Sequence, residues 1–411
     1  MTVDYDPRDP QIRNNPFPSF RRLQDEDPVH WNPHLRAWVI TRYADVRKVA
    51  LNRRMSPDRL TPFYDSLPEA RRGVVGELIR YLNLWMVFRD PPEHTRLRRL
   101  MNEAFTPRAV ERLRPNVERI VGRLLDDLLP RGEMDLVRDF AYPLPATVIM
   151  DMLGVPHDQL DRFKDWSDDM ALFLGSARDV PDKYERARRG ALEMSSYFRE
   201  VIADRRRRPG EDVLSALIAA GTPDERLTGD ELIAAAMLFL FAGHETTTNL
   251  ISNGIYSMRM HADAWARLVA DPSPGLLATA VEECLRYDGP SGGIARVVRV
   301  THEMEGRELK EGDRVFAMLN AANRDPRVFE APDDFIIDRS PNRHLTFGQG
   351  IHFCLGAPLA RLEAEIACRE IARRIPDLTL GTTAPDWHDS LIMRGITSLP
   401  VHFRPGKSVA A

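Results

Sequence analysis

The chain has 411 residues, 43% of them hydrophobic and 29% charged, which is enough to bury a large core. Its formal net charge of −4 gives no electrostatic reason to expect nucleic acid as a partner, and no apolar run is long enough to span a bilayer. The N-terminal Met-Thr-Val-Asp-Tyr-Asp is acidic and polar, unlike a secretory signal with its basic and apolar regions. Cys284, Cys354 and Cys368 form neither a metal-type pair nor a disulfide framework, which fits a reducing cytoplasm where a lone special thiol serves as ligand or nucleophile. No Gly/Ser-rich linker and no repeat divides the chain, so residues 1–411 read as one large domain, with a monomer as the default state.

In chain order, Pro28–Trp31 and Ala37–Thr41 read as two short strands around a polar turn, and the pattern turns helical after Tyr43. Residues 60–90, with exposed-looking Pro, Gly and aromatics, read as irregular. Asp90-Pro91-Pro92 offers a cap and first-turn prolines for a helix through His94, Arg98 and Met101. Helical periodicity then dominates to about residue 270. Arg205–Arg208, ahead of Pro209-Gly210, read as a solvated loop rather than a nucleic-acid patch. At Thr228-Gly-Asp-Glu231 a capping box opens a long helix that is apolar on most faces and so must cross the middle of the core. Strand signals follow at 294–300, 314–318 and 391–403, giving a mainly α fold with a small β portion.

The stretch from Phe347 to Gly356, Phe-Gly-Gln-Gly-Ile-His-Phe-Cys-Leu-Gly, carries the chemistry. Gly348 and Gly350 let the backbone turn tightly beside a flat ligand, and Gly356 eases entry into a helix over Ala357–Ile371. A thiolate on Cys354 would face the unpaired N–H groups and positive dipole end of that helix. Taken alone, a cysteine in a Gly-rich loop is better read as a buried core residue. The whole ten-residue pattern resembles the haem-binding signature of the cytochrome P450 family. That resemblance implies haem b with Cys354 as its iron ligand, Phe347 as the aromatic shielding the sulfur and His352 as a propionate donor. It also implies the family's single-domain fold, with the long central helix lying over the haem.

Three further motifs match the same family in order. Glu283-Cys-Leu-Arg286 sets an acid and a base at i and i+3 on a helix, a spacing that is common on surfaces and contributes little there. In the family this pair is buried and joined by a second arginine, here Arg339, as a lock on the thiolate loop. Ala242-Gly243-His244-Glu245-Thr246 interrupts the long helix, with a threonine hydroxyl free to bond the Ala242 carbonyl one turn earlier. This resembles the acid–alcohol pair serving dioxygen activation, with Thr246 at the distal face and Glu245 relaying protons through water. His94 and Arg98 sit one turn apart, and with Arg296 and His352 they match the ligands of the two haem propionates, which would be costly to bury unpaired. Cys284 and Cys368 lie on apolar helical faces and read as core.

By the resemblance, the chain is a monooxygenase. No flavin or iron–sulfur domain follows before the terminal Ala411, so electrons come from a separate ferredoxin and its reductase. Arg98, Arg99, Arg108 and Arg361 are candidates for the docking face, although Arg98 cannot both bury on haem and meet a partner. Family positions suggest a pocket of Leu84, Val87, Phe88, Leu238, Ala242, Ile294, Ile392 and Met393, each equally suited to core packing. Their apolar character points to a hydrophobic small-molecule substrate such as a terpenoid, steroid, fatty acid or aromatic. Two rival readings are a peroxide-driven haem-thiolate enzyme and a non-catalytic haem protein that senses or carries a gas; Glu245 and Thr246 weigh against both.

Overall fold

A computed structural model describes residues 3–174, 180–222 and 224–406; the terminal Lys407–Ala411 lie outside it. The expected capping box forms at Thr228: its hydroxyl accepts from the Glu231 N–H, and the Glu231 carboxylate accepts from the Thr228 N–H at 2.8 Å. The helix it opens runs unbroken over Gly229–Met260, 32 residues, with Leu232–Leu240 buried continuously. An α-helix buried on every face must be surrounded, and this one packs against Pro143–Leu153, Lys183–Arg207, Pro274–Asp288 and Ala357–Arg374. The Gly and Thr residues at 243–247 therefore do not interrupt it, contrary to the sequence expectation; the Thr246 hydroxyl bonds the Ala242 carbonyl at 3.0 Å within regular helix.

The expected small β portion is a five-stranded sheet in the order Val29–Asn32, Ala37–Ile40, Arg314–Ala317, Ile294–Val298, Met55–Ser56. Ala37–Ile40 runs parallel to Arg314–Ala317, with Trp38 opposite Val315, and the other pairs are antiparallel. The pairing of Arg296 with Val315 fixes which face of Ile294–Val298 turns towards the core. The strand expected over 391–403 reduces to Pro400–His402, which pairs with Glu133–Asp135 and Thr379–Leu380; 391–396 contributes isolated bridges at Met393 and Ile396.

Three local expectations are corrected. Residues 60–90 are largely helical, with helices at Leu60–Asp65 and Glu69–Leu82 and a 3₁₀ turn at Met86–Phe88. Val75, Leu78, Ile79 and Leu82 repeat at helical spacing and are buried, and that stripe outweighs the weak propensity of Gly73 and Gly76. Asp90 does not cap the helix Glu93–Ala104 with its side chain; its carboxylate accepts from Ser56 and lies 3.4 Å from Arg299. Arg205–Arg207 end the helix Lys183–Arg207 rather than forming a loop, because Arg205 is tied to Asp212 at 2.5 Å and to the Gly154 carbonyl at 2.6 Å.

Candidate functional site

Gly348 and Gly350 adopt φ of +70° and +71°, a conformation that only glycine takes without strain, so the loop can reverse within three residues and bring Cys354 back to Phe347. The Cys354 N–H donates to the Phe347 carbonyl at 2.9 Å, closing the loop. The helix Ala357–Arg374 then starts, three residues longer than expected. Burial pushes the Cys354 thiol up, while the N–H groups of Gly356 and Ala357 and the guanidinium groups of Arg98 and Arg361 favour the thiolate. Gly356 itself is at φ −81°, and a Cβ there would meet no atom of the described protein, so its N–H and not its missing side chain is what the sulfur uses.

Cys354 lies in the wall of an apolar cavity of about 310 Å³. Phe347, Gly348, His352 and Gly356 of the loop share that wall, with Arg361 stacked 4.6 Å from the Phe347 ring centroid. The central helix contributes Leu238, Ala242, Thr246 and Thr247, and the sheet contributes Ile294 and Arg296. Val87 also lines it. Leu84, Phe88, Ile392 and Met393 do not: Leu84 packs on the main core, Phe88 stacks on Trp85, Ile392 packs with the N-terminal cluster, and Met393 faces a second, smaller cleft. Sequence reasoning missed Ile149, Phe105 and Phe239 in the lining. Ile149 is there because Gly243 leaves it room; a Cβ at Gly243 would come 2.5 Å from its Cδ1.

Glu245 does not line the cavity. Asp168 and Lys164, an ion pair on the helix Leu160–Leu174, act on it electrostatically. Burial first, and Asp168 second, push its pKa up to about 7.

His94, Arg98, Arg296 and His352 converge. The His94 and His352 rings lie 4.2 Å apart, and both nitrogens of buried His94 lack a hydrogen-bond partner among the described residues. Arg98 gives Nη1 to the Phe353 carbonyl at 2.6 Å, and Arg296 gives Nη1 to the Ala295 carbonyl at 2.8 Å. Burial, then Arg296, His94 and Arg98, drive the His352 pKa down to about 3. Asp90, the acid that acts on His94 and Arg296, is already occupied by Ser56 and Arg299. Basic groups gathered with orphaned nitrogens beside a cavity call for an anion, and two propionates together with a sulfur ligand satisfy that demand. The donor set therefore fits haem b.

The loop is held from behind. Glu283 and Arg286 are both 0% exposed and joined at 2.7 Å by two bonds. Arg286 uses its remaining N–H groups on the carbonyls of Asn323, Pro332 and Asp334. Arg339 reaches Glu283 at 3.2 Å, as expected, and Asn342 and the Ile336 N–H complete the carboxylate's partners. Thr346, next to Phe347, donates to the Leu285 carbonyl at 2.6 Å and accepts from Asn323. Asn323, Asn342 and Thr346 carried no sequence signal, since single amides and hydroxyls are found at any position.

The expected docking cations are mostly committed elsewhere: Arg99 pairs with Glu225 at 2.9 Å, Arg361 with Glu282 at 2.6 Å, and Arg98 lines the cavity. Arg108 alone of the four is exposed and has no ion pair among the described residues. Cys284 and Cys368 are buried core, as expected.

The Cytochrome P450 family model matches residues 68–271 and 275–375. Cytochrome P450 107B1 of Saccharopolyspora erythraea is 43% identical over 380 residues, 90% of each chain. The cytochrome P450 monooxygenase PikC of Streptomyces venezuelae is 40% identical over 96% of this chain and 92% of its own. Among solved structures, P450BioI in complex with hexadec-9Z-enoic acid ligated acyl carrier protein superposes with a TM-score of 0.89 at 35% identity, covering 96% of this chain and 99% of that one.

Proposed function

The chain belongs to the cytochrome P450 family of haem-thiolate monooxygenases, and from that premise we propose that it hydroxylates or epoxidises a hydrophobic small molecule with electrons from a ferredoxin and its reductase. The observation that carries this reading is that Cys354 and Thr246, from separate elements, line one apolar cavity. Haem b, when bound, supplies dioxygen binding and the insertion of one oxygen atom into substrate, the other leaving as water.

The protein's part is to hold, exclude and deliver. Cys354 would hold the iron, with Phe347 and Gly348 beside its sulfur; His94, Arg98, Arg296 and His352 would hold the propionates. Leu238, Ala242, Ile294 and Val87, with Ile149, Phe105 and Phe239, keep water from the reacting end and favour an apolar substrate. Ala242 parks the Thr246 hydroxyl through its carbonyl. Rotation of that hydroxyl towards the cavity gives a donor at Oγ1, reloaded by Glu245, whose carboxyl is half protonated near pH 7. Asp168 and Lys164 link Glu245 to the surface side of the helix Leu160–Leu174. Three free cysteines, two of them buried, support a reducing cytoplasm as its place of work. Among the described residues no helix is long and apolar enough to cross a membrane. Arg108 is the exposed cation we assign to an acidic ferredoxin, and we keep the monomer as the working state.

Turnover with labelled dioxygen in a reconstituted ferredoxin system tests the reading: one labelled oxygen in the product is expected. Thr246→Ala should keep electron consumption while product per electron pair falls by about 10²-fold, the low end of what a positioned proton donor contributes. Unchanged coupling in Thr246→Ala would sink the role given to that hydroxyl. The pH profile separates Glu245: its raised pKa means the donor form is full at pH 6 and declines through about 7, so wild-type coupling should fall between pH 6 and 8. Glu245→Gln should couple poorly and without that slope.

A further inference from the structure

One arginine near the cavity has no counter-charge among the described residues. Arg59 is the N-cap of the short helix Leu60–Asp65 and is half-buried, its guanidinium 5.3 Å from the Phe88 ring centroid. Its Nη2 donates at 3.2 Å to the carbonyl of Leu174, the last residue of the helix Leu160–Leu174. The other guanidinium N–H groups meet no protein acceptor among the described residues. The nearby acids are engaged elsewhere: Asp58 accepts from the Leu60 and Thr61 N–H groups, and Asp90 is held by Ser56 and Arg299. The charge that does act on Arg59 is a second cation, Arg296. Burial and then that field lower the pKa of Arg59 to about 10, so it is charged at neutral pH.

Its neighbours put this charge at the mouth of the cavity. Val87, adjacent in the chain to Phe88, lines the cavity and is 41% exposed, so the cavity reaches the surface there. Ser56, three residues before Arg59, is paired with Val297 on the strand whose Ile294 and Arg296 stand in the cavity wall. A cation partly stripped of water needs an anion, and one carbonyl at a helix end offsets only part of the loss. The propionates do not require it, since His94, Arg98, Arg296 and His352 already converge on their place.

We propose that Arg59 binds the carboxylate of an amphipathic substrate whose apolar body lies in the cavity beyond Val87. This rests on the monooxygenase reading above and narrows its hydrophobic substrate to one that ends in an acid. The guanidinium offers a planar, charge-assisted pair of donors to a carboxylate, while the Phe88 ring holds its flat face. An ester of the same length fills the same apolar space but leaves the cation without its partner. Discrimination between the two therefore comes from the unpaired charge and not from shape.

The test titrates sodium dodecanoate and methyl dodecanoate into the haem-loaded enzyme, read by the spin-state shift of the Soret band and by equilibrium dialysis. Wild type should bind the acid about 10- to 100-fold more tightly than the ester, the range of a hydrogen bond to a charged group. Arg59→Met keeps the length of the side chain without its charge, and should lose that preference while binding the ester as before. Arg59→Lys should keep part of it, since a point charge replaces the planar fork. A role confined to the end of the helix Leu160–Leu174 would weaken both probes alike and leave their ratio unchanged. Equal binding of the two probes by wild type, binding of neither, or a preference that survives Arg59→Met overturns the proposal. An Arg59→Met protein that folds without haem assigns the charge to a propionate and overturns it too. If Arg59→Met does not fold, Arg59→Lys decides: a reduced ratio supports the proposal and an unchanged one sinks it. Failure of the monooxygenase reading looks different, because wild type would then lack the thiolate-type carbon monoxide spectrum while dialysis still reported the acid preference.

Discussion

Cys354→Ala is expected to abolish the strongly red-shifted Soret band of the reduced, carbon monoxide-bound protein and to reduce monooxygenation by at least on the order of 10³-fold, beyond the loss of one stabilising hydrogen bond. The reasoning starts from the loop. Gly348 and Gly350 turn the chain, the Phe347 carbonyl fixes the Cys354 N–H, and the N–H groups of Gly356 and Ala357 meet the sulfur. An alanine keeps all of that backbone and removes only the electron-donating ligand, so the fold should survive. Neither other cysteine can substitute, since Cys284 and Cys368 are buried in the core and burial raises both thiols, Cys368 to about 12. A red-shifted band surviving in Cys354→Ala would show that the sulfur ligand has been misassigned. Absorption of freshly reduced protein before and after carbon monoxide is the measurement.

The second large effect is expected at the lock. Glu283→Ala strands the Arg286 guanidinium, 0% exposed, with its charge partner gone, and breaking a buried pair from one side costs about 3–5 kcal/mol. Three further partners lose their acceptor at the same time, Arg339, Asn342 and the Ile336 N–H. Against a typical total stability of about 5–15 kcal/mol, that loss should leave little haem-loaded protein, read as Soret absorbance per unit protein and as a lowered Tm. Arg286→Lys retains the charge, yet three ammonium donors cannot replace five in a planar fork, so an intermediate loss is expected. If Glu283→Ala loads haem and melts like wild type, the network is not what holds the Thr346–Cys354 loop in place. Glu283 does not line the cavity, so a direct effect on substrate is not the explanation for a loss.

Much of the site was legible because its chemistry depends on residue types at fixed spacing. A loop with glycines at 348 and 350 and a cysteine at 354, a capping box at Thr228, and an acid and arginine at 283 and 286 each state a local geometry that the structure reproduces. The substrate wall was legible only in part. Leu238, Ala242 and Ile294 lie on regular elements whose facing follows from periodicity, whereas Leu84, Phe88, Ile392 and Met393 lie in connections where one residue's rotation decides between cavity and core. The helix Glu69–Leu82 was missed for a related reason: glycine propensity is a weak effect, and the buried stripe from Val75 to Leu82 overrides it through tertiary packing.

By itself the sequence pointed to the family, the cysteine loop, the acid–arginine pair at 283 and 286 and the capped start of the central helix, because each is written in residues close together along the chain. Tertiary structure decided what lies between distant segments. It set Ile149 into the space left by Gly243, kept Glu245 out of the cavity wall and within the field of Asp168, and occupied Arg99 and Arg361 with acids far along the chain. These are properties of which faces meet, and the free energy of burying a charge or a methyl group depends on the atoms across the interface, which no local pattern names.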